Sequence, residues 1–167
     1  FCRSRRSLGI QRDGALAEYI AVPARYLHRV PDNLPDEFAC LAEPFTISVS
    51  DVLVHADLTP GESVLIIGAG QVAQLALVAA RCGGASRIFL SGAETDASLR
   101  LPAAAALGAD LVINSGRGDP VEAVLRATHG RGVDLAVEAS GSPAGIAAGI
   151  KALRPGGRMA VLGATKQ

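Results

Sequence analysis

The chain has 167 residues, 49% hydrophobic and 19% charged, with 16 basic against 16 acidic side chains and a formal net charge of +0. That balance supplies a core for one domain with a small appendage, and it excludes the cationic footprint of a nucleic-acid binder. Three scattered cysteines, Cys2, Cys40 and Cys82, exclude a disulfide framework and point to a reducing, cytoplasmic setting.

The chain opens at Phe1 rather than Met, with Arg3, Arg5 and Arg6 close together. A solvated terminus explains this basic cluster better than a binding patch. Residues 1–45 are rich in Arg, Pro and polar side chains. Short strands are expected at Ala17–Val22 and Tyr26–Val30, with Pro31 and Pro35 punctuating a loop. Glu43-Pro44 opens a helix expected to run to about Ala56. The segment is too small for its own core and reads as the edge of a second domain, with 46–167 forming the main one.

From Gly61 onward, short apolar runs alternate with helical patterns. Val64–Ile67 is the first strand, Gln71–Cys82 a helix stopped by Gly83 and Gly84, and Ile88–Leu90 the second strand. Val64–Ala80 is nearly all apolar, yet it is too short and too glycine-interrupted for a membrane span. Ser98–Leu107 is the next helix, with Pro102 tolerated in its first turn and Gly108 ending it. Leu111–Asn114 is the third strand. Asp119, Pro120 and Glu122 have the spacing of a capping box for a helix ending near Gly130. Asp134–Glu138 is the fourth strand, with Asp134 structural in the turn that enters it. Ser142-Pro143 opens a helix stopped by Pro155-Gly156-Gly157, and Met159–Leu162 is the fifth strand. Continuous apolar strands alternating with helices of about three turns predict an α/β fold, a Rossmann-type doubly wound parallel sheet of about five strands.

The chemistry lies in the turn Gly68-Ala69-Gly70-Gln71-Val72-Ala73, directly between strand and helix. Gly68 permits the tight turn, Gly70 lets a pyrophosphate approach the backbone, and Ala73 keeps helix and strand close. The N–H groups and dipole at the helix start then face the phosphates. Any tight strand–helix turn favours glycine, but this alternating pattern favours a nucleotide site. Adenosyl-methionine enzymes share a related turn and are the competing reading.

Several stretches, GALAEYIAVPARYLHRVPDNL, LAEPFTISVSDVLV, PGESVLIIGAGQVAQLALVAA, ALGADLVINS, GRGVDLAVEASGS and LRPGGRMAVLG, occur in an order that resembles the zinc-dependent medium-chain dehydrogenases. Their sorbitol and threonine dehydrogenase branch is the nearest in look. The resemblance implies the end of a β-rich, GroES-like catalytic domain over 1–45. It also implies a Rossmann domain lacking its last strand over 46–167, the whole being a fragment of a longer enzyme. It implies reversible hydride transfer between a secondary alcohol or polyol and NAD or NADP, with zinc as Lewis acid, and no catalytic residue in this segment. Members are commonly dimers or tetramers. A zinc-independent quinone-reductase type and a non-catalytic nucleotide-binding module remain the alternatives.

By the same resemblance, Gly68, Gly70, Gln71 and Val72 surround the pyrophosphate. Ala139 and Ser140, with Gly141, lie at the sheet's carboxyl edge, and Leu162, Gly163 and Ala164 neighbour the nicotinamide. Cys2 falls where the family has its last structural-zinc cysteine, and Glu43 where a carboxylate ligates or borders the catalytic zinc. Seen alone, Cys2 is only a cysteine and Glu43 a helix-start acid. Cys40 and Cys82 are expected to be small buried apolar residues, and His28, His55 and His129 surface side chains. The acidic residue that grips the adenosine ribose falls on Gly92, within RIFLSGAETDASLR (87–100). Gly92 makes room for a 2′-phosphate and Arg100 could meet it, which tilts the expectation to NADP. Against this, Glu94 or Asp96 could fold back and replace the missing carboxylate. Asp96 could also simply cap the next helix, and Arg100 could be a solvated helix-face side chain.

Overall fold

The computed structural model describes residues 3–163. The chain divides into two compact units, Phe1–Ala39 and Cys40–Gln167. The division falls short of the 45/46 boundary expected from composition because Phe45 and Val49 pack against the main hydrophobic core.

The expected strands at Ala17–Val22 and Tyr26–Val30 do not form. Residues Ala24–Tyr26 make a 3-10 turn, Asp36–Ala39 a single helical turn, α1, and an isolated bridge joins Leu8 to Arg12. A strand needs a ladder partner for its backbone groups, and the described residues of this unit supply none. The β-rich character implied for 1–45 is therefore not seen in residues 3–45. Cys2 lies outside the described residues.

The second unit begins with α2, Ala42–Val49, which continues as a wider π turn over Ser50–His55. By length and composition, 36–55 would be apolar enough to cross a membrane. From Ala42 on, however, it packs beside the sheet, with Ser48 and Val52 fully buried. Then follow β1 Ser63–Ile67, α3 Gln71–Cys82, β2 Arg87–Gly92, α4 Arg100–Ala106 and β3 Leu111–Asn114. The chain continues through α5 Pro120–Ala127, β4 Val133–Glu138, α6 Pro143–Ala152 and β5 Leu153–Val161. All strands are parallel, in the order β3-β2-β1-β4-β5. The order reverses direction between β1 and β4, the place where such sheets open a crevice at their carboxyl edge.

Strand residues alternate between two cores. Val64, Ile66, Ile88, Leu90, Leu135 and Val137 face α3 and α4, where Ala73, Ala76, Leu77 and Ala104 are fully buried. Leu65, Ile67, Phe89, Ile113 and Val133 face the other side with Val124 of α5 and Ala152 of α6. Burial on both faces explains why the strands read as unbroken apolar runs. Asp119 caps α5 by accepting from the Val121 N–H at 2.8 Å. Glu122 points instead to Arg126, so the expected capping box does not close. The Pro155-Gly156-Gly157 stop lies inside β5, absorbed by a register shift opposite Val133/Leu135. Cys40 and Cys82 are exposed, contrary to expectation, because each sits at a helix margin outside the cores. His28, His55 and His129 are exposed, as expected.

At the amino edge of the sheet one carboxylate gathers several donors. Asp134 is 4% exposed. It accepts from the Ser63 N–H at 2.9 Å and Oγ at 2.7 Å, from Arg131 at 2.6 and 3.1 Å, and from Arg154 Nε at 2.6 Å. Burial pushes its pKa up, but the two arginines and Ser63 together outweigh burial and hold it far below the usual carboxylate range. A carboxylate depressed in the folded state stabilises the fold above its unfolded pKa, about 4, and loses that contribution as pH falls below it. Asp134→Ala should therefore cost about 3–5 kcal/mol at neutral pH by urea unfolding. The variant's disadvantage against the parent should shrink as the titration is carried below about pH 4.

Candidate cofactor-binding site

The carboxyl ends of β1, β2, β4 and β5 meet in register, Ile67 beside Ser91 and Glu138, and Glu138 beside Val161. The chain leaves β1 through Gly68, whose φ of 108° lies in the region that favours glycine. A Cβ on Gly68 would stand 3.0 Å from the Ala139 carbonyl carbon and the Ser140 nitrogen. The Gly68 N–H donates to Ser91 at 2.8 Å and the Ala139 N–H to Ile67 at 2.8 Å, stitching the three strand ends together.

Gly70 differs in kind. Its backbone is extended, and a Cβ there would meet nothing within 4 Å. It is the N-cap of α3, yet no side chain caps this helix and no acidic residue stands in its first turn. The positive end of a twelve-residue helix thus opens behind an unfilled space at the sheet's carboxyl edge. Gln71 is exposed and Val72 half-buried at its start, and the Val72 carbonyl accepts from the buried Ser48 Oγ at 3.2 Å. Gln74, one turn on, donates to the Ala69 and Arg100 carbonyls at 3.3 and 2.8 Å. Its Oε1 is buried without a partner among the described residues. An open cradle before Gly70 and an uncompensated helix start suit a bound anion such as a pyrophosphate.

The far wall rests on Glu138, fully buried at the end of β4. Its Oε1 accepts from the Ser140 N–H at 2.7 Å, the Gly141 N–H at 3.0 Å and the Ser140 hydroxyl. Its backbone carbonyl accepts from the Leu162 and Gly163 N–H groups at 2.7 and 2.9 Å. One residue thus ties 139–141 to 162–163. Sequence reading passed over Glu138 and Gln74, although a glutamate closing the otherwise apolar run LAVE was a usable signal. Ala164 lies outside the described residues.

On the side of β2, Gly92 has no free space. A Cβ would stand 2.7 Å from Leu101 Cδ2 and 2.8 Å from Ala69 Cβ. After it, a 3-10 turn, Glu94–Asp96, carries two carboxylates. Glu94 accepts from Asn114 Nδ2 at 2.8 Å and from Arg117 at 2.9 and 2.6 Å, and these donors hold its carboxyl below its ordinary pKa. Asp96, 7% exposed, accepts from the Ala93 N–H at 2.9 Å and pairs with Arg100 at 3.0 Å. It closes its own turn and does not cap α4, whose N-cap, Leu99, has no side-chain cap.

Glu43 stands exposed in the first turn of α2. Among the described residues no three His, Cys, Asp or Glu side chains gather into a metal site. These residues alone do not fit a zinc ion.

The family model for zinc-binding dehydrogenases matches residues 72–167. The chain belongs to the zinc-binding dehydrogenase family. Among curated members, the L-threonine 3-dehydrogenase of Pectobacterium carotovorum is 35% identical over 97% of this chain, which spans 46% of that enzyme. A zinc-binding dehydrogenase from Sinorhizobium meliloti 1021 bound to NADP superimposes with a TM-score of 0.90 at 28% identity, covering 99% of this chain and 48% of that one. An NAD-dependent alcohol dehydrogenase does so with a TM-score of 0.87 at 33% identity, again over 99% and 48%. The chain therefore spans about half the length of the zinc-binding dehydrogenases it matches.

The two glycines of the turn should separate cleanly. Gly68→Ala should destabilise by at least about 2 kcal/mol, through backbone strain and contact with 139–140. Gly70→Ala, whose methyl enters open space, should change stability by less than about 0.5 kcal/mol. Chemical denaturation of the two variants checks both.

Proposed function

We propose that residues 46–167 are the dinucleotide-binding domain of a zinc-dependent oxidoreductase that moves a hydride between a nicotinamide cofactor and a secondary alcohol or polyol. Residues 1–45 would be the end of its catalytic domain. The observation that carries the reading is the uncapped, acid-free start of α3 behind the open space at Gly70, at the reversal point of a 3-2-1-4-5 sheet. Membership of a dehydrogenase family supports the redox chemistry over methyl transfer.

The nicotinamide ring carries the hydride when bound. The chain's own part is to bind and orient. Gly68, Gly70, Gln71 and Val72 would line the pyrophosphate, with backbone N–H groups as donors. Ala139 and Ser140, braced by Glu138, and Leu162 and Gly163, followed by Ala164, would flank the nicotinamide half and shield it from water. Gly92 and Arg100 would border the adenosine ribose, where the cofactor is read as NAD or NADP. Zinc and its alcohol would sit largely on residues outside this segment, with Glu43 as one ligand or neighbour and Cys2 in a structural site. Partners are small molecules, neither nucleic acid nor membrane. The whole protein would be a cytoplasmic homo-oligomer, supported by its family likeness and sparse cysteines.

Because the chain has no Trp, calorimetric titration with NADH and NADPH is the direct test. At least one should bind. Gly70→Val should abolish binding while leaving the unfolding midpoint nearly unchanged, because its side chain would occupy the pyrophosphate space. Binding unaffected by Gly70→Val, or binding of adenosyl-methionine in place of either dinucleotide, would sink the reading.

A further inference from the structure

Resting on that dinucleotide reading, we infer that Asp96 is the residue that selects the cofactor, holding the adenosine ribose through a carboxylate that has moved off the end of β2, and that the chain prefers NAD. The strand end itself has no room for a side chain. At Gly92, Leu101 Cδ2 and Ala69 Cβ already stand where a Cβ would be, at 2.7 and 2.8 Å. The third atom closest to that point is Asp96 Oδ2, at 3.1 Å. The carboxylate that position 92 lacks is therefore supplied from four residues further along the chain.

Its placement is fixed from several sides. The Glu94–Asp96 turn folds the side chain back so that Oδ2 accepts from the Ala93 N–H at 2.9 Å, while Oδ1 takes Arg100 Nη1 at 3.0 Å. The turn is anchored by Glu94 on Asn114 and Arg117. Gly92 is anchored by the Ser115 N–H and hydroxyl, which donate to its carbonyl at 2.8 and 3.0 Å. Glu94 is thus committed to the neighbouring loop, and Asp96 is the carboxylate left facing Gly92.

The chemistry of the pair decides which ribose fits. An ionised carboxylate has about four lone-pair sites and only accepts. Two donors from the chain leave capacity for the hydroxyls of an unmodified ribose. A 2′-phosphate would bring negative charge against a carboxylate whose side chain is 10% exposed. Arg100, which on sequence grounds favoured NADP, already spends one edge of its guanidinium on Asp96. The room that Gly92 was expected to provide is filled by Leu101, Ala69 and Asp96.

Asp96 also braces its own turn, so the test must separate charge from bracing. Asp96→Asn keeps an oxygen able to accept from the Ala93 N–H, removes the charge, and puts an NH2 donor where the oxygen paired with Arg100 stood. Calorimetry on the full chain should show NADH binding at least about tenfold tighter than NADPH. Asp96→Asn should bring that ratio to near unity or below, with NADPH affinity rising and the unfolding midpoint little changed. Tighter NADPH binding by the parent chain, lost in Arg100→Gln, would overturn the inference and leave the dinucleotide reading intact. So would an unchanged ratio in Asp96→Asn, which would make Asp96 a brace only. Binding of neither dinucleotide would overturn both readings.

Discussion

At Gly68 the backbone leaving β1 runs within van der Waals contact of the backbone leaving β4, and the site depends on that approach. A Cβ at Gly68 would stand 3.0–3.1 Å from atoms of Ala139 and Ser140. With hydrogen only, the turn presses against the 139–140 segment and α3 starts directly above the crevice. The same closeness lets Ala69 reach across to Gly92 on the β2 side. One missing side chain thus sets the spacing of the three strand ends, and through them the direction of the α3 dipole.

β4 is pinned at both ends by acids with opposite surroundings. Asp134 at the amino edge is neutralised by two arginines, an ion-paired anchor. Glu138 at the carboxyl edge is held by backbone N–H groups and a serine hydroxyl. A buried carboxylate satisfied by backbone donors orders the loop that supplies them. That order matters most where 139–141 and 162–163 form one wall of the proposed cofactor site. A strand anchored this way cannot slip in register without stranding a buried charge.

The sheet was legible because its cause is local. Strands buried on both faces must be continuous apolar runs, and every expected strand from Val64 onward appears, although β5 starts at Leu153 rather than Met159 and runs through the expected Pro155-Gly156-Gly157 stop. The glycine turn was legible for the same reason. The N-terminal strands were not, because alternation at 17–22 and 26–30 promises a strand only if a partner strand exists, and partnership is not a local property. Cys40 and Cys82 misled similarly, since burial depends on what a helix margin faces. The β2 side was half legible. The absence of an acid at position 92 can be read directly from the chain, but whether Asp96 or Glu94 returns to the gap depends on a 3-10 turn and on Arg117 more than twenty residues away.

The two sides of the site are held by different forces. The turn at Gly68 and Gly70 keeps its form by contact and backbone hydrogen bonding. The loop after β2 keeps its form by charge, with Glu94 on Arg117 and Asp96 on Arg100, and the arginines are 71% and 60% exposed. Screening acts over about 8 Å at physiological ionic strength and about 3 Å at 1 M salt. Rising salt therefore slackens the loop proposed to read the adenosine ribose while the turn beside it keeps its shape. On the proposed reading of that loop, discrimination is more perishable than form, and the ionic composition of the surroundings belongs to the definition of the cofactor.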